Sequence, residues 1–333
     1  MTIASQAVPD FHILALSGGG FRGLYTATVL KHLEESLGLP LATRFDLICG
    51  TSAGGLLALG LAAGMPAAEL QAMFERDGKR IFGARSIVRR LLSKFIVAKH
   101  SSAGLRAVLE ERFKGKTLGD LQHRVLIPAV NYSTGKGQFF KTPHAPAFEM
   151  DHRRLLLDVG LATAAAPTYF PLHRVDDEGV FADGGLVGNS PGLFGLHEAR
   201  EVLQVPSTAT IRVLAVGTMT LGATLRGSAF LDRGIGLWGA KVFDLVISAQ
   251  ENAVDSMLKH TLNNNYVRID DTATPDQSKD ISSLDHVSRG AIDVLTSRGT
   301  QAARRALGDP AFAPFKSHIA ARPTFFHGPN KNA

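Results

Sequence analysis

The chain has 333 residues, 45% of them hydrophobic, which is enough for one large core or two smaller ones and excludes a disordered chain. No apolar stretch of about 18 residues is free of charges and turn signals, and the first ten residues lack the basic and apolar parts of a signal peptide, so a cytoplasmic protein is expected. The formal charge of +6 is concentrated in one segment, which argues for one local anionic partner and against a general DNA- or RNA-binding surface.

The first predicted element is an apolar strand over 11–16, running into Gly18-x-Gly20-x-x-Gly23, the spacing of a dinucleotide-binding turn. A helix is predicted over 22–37, with Leu24, Ala27, Thr28, Leu30 and Leu33 on one face. A dinucleotide site would then need an acidic residue at the end of the second strand, about 20 residues beyond the glycines. The second strand, 45–49, ends in Gly50 instead. It also holds the only cysteine, Cys49, in an apolar run that leaves no disulfide framework and no thiolate metal site. In place of a ribose-binding carboxylate it delivers Gly50-Thr51-Ser52-Ala53-Gly54, a G-x-S-x-G pattern, followed by a helix over 54–63. A serine between a strand and a helix sits on a sharp turn with its hydroxyl projecting, and the helix N-terminus favours negative charge nearby. Ser52 is therefore the candidate nucleophile.

Between Lys79 and Lys99 there are seven Lys or Arg residues and no Asp or Glu. Over 81–97, Ile87, Val88, Leu91, Leu92, Phe95 and Ile96 fall on one helical stripe and Arg85, Arg89, Arg90 and Lys94 on the other. Such a helix either packs on the core with a solvated basic face or lies on anionic lipid head groups. A helix over 101–113 and a strand over 124–130, ending at Asn131, follow.

A nucleophilic serine needs a base. Phe181-Ala-Asp183-Gly184-Gly185 places an acid in a predicted glycine loop, where glycines would let the carboxylate approach a hydroxyl; Asp-Gly is also a common turn pair. Ser190 and Pro191 suit the N-cap and first position of a helix over 191–204. The last predicted central strand, 211–216, ends at Gly217-Thr218; a boundary falls near 207–235, and helices are predicted over 236–262 and 282–307. Buried strands alternating with helices predict an α/β fold with a mainly parallel sheet, its glycine-rich turns at the carboxyl ends of the strands, where ligands sit.

Gly18-Gly-Gly-Phe-Arg-Gly23, Gly50-Thr-Ser-Ala-Gly54 and Asp183-Gly-Gly185, with Ala164-Ala-Ala-Pro167-Thr-Tyr-Phe-Pro171 between the last two, resemble the ordered signature blocks of the patatin-like phospholipases. The resemblance covers about 11–217 and implies a three-layer patatin-like fold, helices on both faces of the sheet; 218–333 lies outside the signature and is expected, from its helical pattern, to be a mainly helical C-terminal extension packed on it. It implies a Ser–Asp dyad: Ser52 attacks an acyl ester, Asp183 accepts its proton and later activates water, and no metal or other cofactor is required. Gly18, Gly19, Gly20, Arg22 and Gly23 match the oxyanion block, and Gly50, Gly54, Gly184 and Gly185 support the motifs. Arg22 also reads as an exposed first-turn residue.

The implied substrate is membrane glycerophospholipid, cleaved to fatty acid and lysophospholipid at the inner face of the cell membrane, with Arg85, Arg89, Arg90 and Lys94 as docking residues. Length and the helical C-terminal region further resemble bacterial patatin-like effectors of anti-phage signalling, which implies a cyclic dinucleotide such as cyclic GMP-AMP as activator; a homo-oligomer is a further partner expectation. Two alternatives stay open. One is an α/β-hydrolase with a Ser, acid, His order, for which His197, His260, His286, His318 and His327 follow Asp183. The other is an inactive sensor that binds lipid or nucleotide through the same loops.

Overall fold

The computed structural model describes residues 10–83, 97–219 and 241–333. Arg85, Arg89, Arg90 and Lys94, and the first residues of the helix expected over 236–262, lie outside the described residues. The apolar runs form strands because each is buried on both faces of the sheet, and the faces alternate residue by residue. In β1 (Phe11–Leu16), Leu14 and Leu16 enter the larger core while Phe11, Ile13 and Ala15 enter the smaller one. β2 (Leu47–Gly50) repeats this with Ile48 on one side and Leu47 and Cys49 on the other. Full burial of one such side chain contributes about 1.5–3 kcal/mol.

Helices cover both faces. The larger core is closed by α1 (Gly23–Leu37), α2 (Ala53–Ala62), α3 (Ala67–Phe82), α4 (Ala103–Phe113) and α5 (Leu156–Thr163). All five residues predicted on the packed face of α1 are buried, and the helix stops at Gly38, whose φ of 68° is the left-handed cap conformation.

The described strands form one eight-stranded sheet. β3 (Val125–Asn131) continues it parallel to β2, and β4 (Lys136–Lys141) lies antiparallel along one edge of β3. Next come β5 (His173–Val175) and β6 (Gly179–Asp183), then β7 (Ile211–Val216) and β8 (Tyr266–Ile269), which run parallel to β1 and to β7 respectively. β3 pairs with β2 at Val125 and Leu126, and with antiparallel β6 at Ala129 to Asn131. β2 and β6 therefore share one edge of β3 and run toward each other, so their carboxyl ends meet opposite Ile127 and Pro128. Ser52 follows one end and Asp183 is the other.

Several predicted elements are corrected. Asp183 closes a strand instead of riding a glycine loop. After the single turn α6 (Gly185–Gly188), the helix expected over 191–204 is α7 (Gly192–His197), which widens into a π-helical turn over Glu198–Val202. Ser190 does not cap it: Pro191 is the N-cap, and the Ser190 hydroxyl is buried without a hydrogen bond to any described residue. The helix within 236–262 is α8 (Lys241–Leu262). Past the single turn α9 (Gln277–Asp280), the helix expected over 282–307 begins only at α10 (Arg289–Gly308), because the Ser288 hydroxyl accepts the Ala291 N–H and fixes its start there.

The last third is knitted into the rest. α10 packs along α1, with Gly299 against Tyr25 and Thr28. After α11 (Ala313–Ser317), the Ala320 N–H donates to the Thr43 carbonyl and the His318 ring bonds Asp46 at 2.7 Å while stacking on His12. Asn330 donates to the carbonyls of Gly119 and Leu121.

Candidate active site

Ser52 has φ 52° and ψ −121°, a conformation that L-residues rarely adopt and that occurs where a nucleophile is lifted out of a strand–helix turn. The elbow closes because its flanks are small. A Cβ on Gly54 would lie 2.2 Å from the Leu16 carbonyl oxygen, so the first turn of α2 is packed directly on the end of β1. The Thr51 hydroxyl donates to the Gly188 carbonyl at 2.8 Å and ties the elbow to the segment after Asp183.

The Ser52 hydroxyl donates to Asp183 Oδ2 at 2.8 Å, and the Gly185 N–H donates to Asp183 Oδ1 at 2.7 Å. Asp183 is 2% exposed. Burial drives its carboxyl up to about 7, against the Gly185 N–H and the Ser52 hydroxyl, which favour the ionised form. No histidine among the described residues bonds to either group. His318 is engaged with Asp46, His327 with the Pro146 carbonyl, and His197, His260 and His286 are exposed. The Ser, acid, His reading thus has no histidine in place.

The glycine loop after β1 lies beside this pair. The Gly18 N–H donates to the Asn189 carbonyl, the Phe21 N–H to the Leu284 carbonyl and the Arg22 N–H to the Gly19 carbonyl. The amides of Gly19 and Gly20 make no hydrogen bond to any described residue. Gly20 has φ 57°, and a Cβ there would sit 2.2 Å from the Leu284 carbonyl oxygen, so only glycine follows this path. Gly23 packs against Ala53 and Phe74 at the start of α1.

Arg22 is not an exposed first-turn residue. It ends a 3₁₀ turn over Gly20–Arg22 and is half-buried, with Nε sealed from solvent and bonded to no described residue, and Nη1 reaches the Met219 carbonyl at 3.5 Å. Burial lowers its pKa from the ordinary arginine value, while Glu251, Asp244 and Asp270 favour the charge.

Sequence reading passed over the residues that brace the loop. Asn189 Nδ2 donates to the Gly18 carbonyl at 3.0 Å and to Glu251 Oε1 of α8 at 2.9 Å. The Thr218 hydroxyl donates to the same Gly18 carbonyl at 3.2 Å. Asn189 adjoins the Asp-Gly-Gly block and could have been found by that; Glu251, 62 residues further along, carries no signal.

A serine lifted from a strand–helix elbow, on a mostly parallel sheet with helices on both faces, is the architecture of a serine hydrolase. The chain belongs to the patatin-like phospholipase family, whose model matches residues 14–193. It is 67% identical over 325 residues to a Pseudomonas aeruginosa protein named cGAMP-activated phospholipase, covering 98% of this chain and 97% of that one. It is 38% identical over 319 residues to a Vibrio cholerae protein of the same name (87% and 90% covered), and 36% identical over 318 residues to one from Escherichia coli (89% of each).

Proposed function

We propose that this chain is a phospholipase that releases fatty acid from membrane glycerophospholipids through Ser52 and Asp183, and that a cyclic dinucleotide switches it on. The observation that carries the chemistry is the 2.8 Å bond from the Ser52 hydroxyl to a buried carboxylate, next to a glycine loop whose Gly19 and Gly20 amides have no acceptor among the described residues.

Ser52 Oγ attacks the acyl carbonyl carbon as its proton passes to Asp183. The amides of Gly19 and Gly20 are free to receive the negative oxygen of the tetrahedral intermediate, and the N-terminus of α2 adds a favourable dipole. In this reading Gly18 serves by being locked in place. Collapse expels the lysophospholipid alkoxide, which takes the proton from Asp183. Water then attacks the acyl-serine, giving its proton to Asp183. The second collapse returns that proton to Ser52 Oγ and frees the fatty acid. A carboxyl poised at about 7 can hold and release a proton near neutral pH.

The nucleotide switch is supported by the name of the Pseudomonas relative and by identity over nearly the whole of both chains. Among the described residues no helix is long and apolar enough to cross a membrane. Action from the cytoplasm on the inner leaflet, with Arg85, Arg89, Arg90 and Lys94 as docking residues, belongs to the same proposal.

The test is fatty-acid release from phosphatidylethanolamine/phosphatidylglycerol vesicles by the full chain, with cyclic GMP-AMP, with cyclic UMP-AMP and with neither. Release with cyclic GMP-AMP alone, lost in Ser52→Ala, is expected. Equal release under all three conditions overturns the switch, and release by Ser52→Ala overturns the nucleophile. Unchanged vesicle hydrolysis after replacing Arg89 and Arg90 with Glu would remove the docking assignment.

A further inference from the structure

The two signature blocks that carry Ser52 and Asp183 are 131 residues apart in sequence and do not pair with each other as strands. What sets their spacing lies between them. Thr163, the last residue of α5, is fully buried and makes three hydrogen bonds there. Its hydroxyl accepts the Ser52 N–H at 3.0 Å and donates to the Pro128 carbonyl at 2.6 Å. Its own carbonyl accepts the Gly184 N–H at 3.1 Å. Two residues on, the Ala165 carbonyl accepts the Asp183 N–H at 3.0 Å.

Pro128 sits in the stretch of β3 where pairing with β2 has ended and pairing with β6 has not begun. β4 pairs with Pro128 through Phe139 on the other edge, so on the edge shared by β2 and β6 no strand stands opposite Pro128, and a buried carbonyl without a donor is unfavourable. The Thr163 hydroxyl fills that gap in the ladder. The same oxygen receives the amide of Ser52, whose backbone lies at φ 52°, and strained conformations persist only where their surroundings over-determine them.

We propose that Thr163 is the positioning residue of the dyad: its hydroxyl holds the elbow amide on β3, and its carbonyl holds the residue after Asp183 at the matching height. One consequence is chemical. The Ser52 amide is committed to Thr163, so the negative charge on the substrate must be met by other amides. The assignment rests on Ser52 being the nucleophile.

Thr163→Val removes the hydroxyl at nearly constant volume, while Thr163→Ser and Thr163→Ala differ from each other by the hydroxyl alone. With the full chain, kcat and KM for a soluble p-nitrophenyl ester and the rate of Ser52 labelling by a fluorophosphonate are measured, with and without cyclic GMP-AMP, on folded protein quantified by circular dichroism. In Thr163→Val, kcat and labelling rate are expected to fall about 100-fold with KM within about twofold, as a misplaced reacting group predicts. Thr163→Ser is expected to recover to within about fivefold of the parent, and Thr163→Ala is not. Equal rates in the Ser and Ala variants overturn the proposal, since then only packing against Gly55 matters; this comparison decides even where Thr163→Val does not fold. Absence of labelling in the parent chain defeats the nucleophile assignment, whereas a labelled parent with equally labelled variants defeats only the role of Thr163.

Discussion

Asn189 and Gly18 hydrogen-bond each other twice, the Gly18 N–H donating to the Asn189 carbonyl at 3.1 Å and Asn189 Nδ2 donating to the Gly18 carbonyl at 3.0 Å. Both peptide planes flanking Gly18 are thereby fixed, and so is the direction in which the following amides point. Replacing Asn189 with Leu removes one of the two donors to the Gly18 carbonyl and the Asn189 bond to Glu251, and lets the loop rotate. A fall in kcat of about 100-fold is expected, with a smaller change in KM, since the loss is one of aim. Steady-state kinetics on a soluble ester, with a urea melt to separate folding from aim, checks it.

Asp183 predicts two pH dependences of opposite sense. In the proposed role of proton acceptor it works when ionised, so kcat/KM should climb about tenfold per pH unit below about 7 and level off above. Stability moves the other way. The folded carboxyl holds its proton to about 7 and the unfolded one only to about 4, so the folded chain binds more protons between those values and loses stability as pH rises through them. Asp183→Asn should abolish hydrolysis yet be the more stable protein at pH 8, by up to about 4 kcal/mol, with the difference vanishing near pH 4. Thermal melts across this range decide it.

Asp285 anchors the loop that props the glycine turn. It receives the Lys99 ammonium at 2.7 Å, the His100 ring at 2.6 Å and the Ser283 hydroxyl at 2.6 Å, while its neighbour Leu284 accepts the Phe21 N–H. Burial pushes its carboxyl up, but the His100, Lys99 and Ser283 hydrogen bonds outweigh this and hold it well below the usual range. Its contribution is thus present above about pH 4 and lost only in stronger acid. Asp285→Asn should lower stability at pH 7 by about 2 kcal/mol, discounted for the partial exposure of Lys99, and slow hydrolysis by loosening Gly20. Chemical denaturation and kinetics on the same preparation test both halves.

His12 makes the chain sensitive to mild acid. It is buried in β1 under His318 and against Phe315, and burial, reinforced by His318, pushes its pKa down to about 3 although Asp46 pulls upward. The unfolded chain takes up this proton near 6.5 and the folded one does not, so stability falls as pH drops from about 6.5 toward 3, by about 1.4 kcal/mol per unit once the effect is established. His12→Leu should flatten that limb of the stability–pH curve. An unchanged slope would mean that other groups set it.

Much of the site was legible because its residues answer to local rules. Ser52 stands out where an apolar strand meets a helix, and Asp183 where an acid precedes two glycines. The four central strands were readable as apolar runs buried on both faces. β6 was not, since Gly179–Asp183 is short and only half covered at its start, and β8 was hidden because Tyr266-Val-Arg-Ile carries a charge that is neutralised by Asp270 only in the fold. The segment 282–288 falls inside the helix expected over 282–307 but is not helical; Leu284 is buried there by packing against Gly20 and not by helical periodicity. Thr163 closes a helix that the sequence reading did not single out, and its importance appears only where two strands end against a third.

That meeting of β2 and β6 on one edge of β3 turns catalytic distance into a matter of counting. A strand advances about 3.3 Å per residue and alternates its faces. Losing one residue from β6 would turn the carboxylate to the opposite side of the sheet, and losing two would carry it about 7 Å from the hydroxyl, farther than any rotamer could recover. Drift within this stretch is therefore confined to exchanges of side chain, while the spacing between Gly179 and Asp183 is held to a whole number.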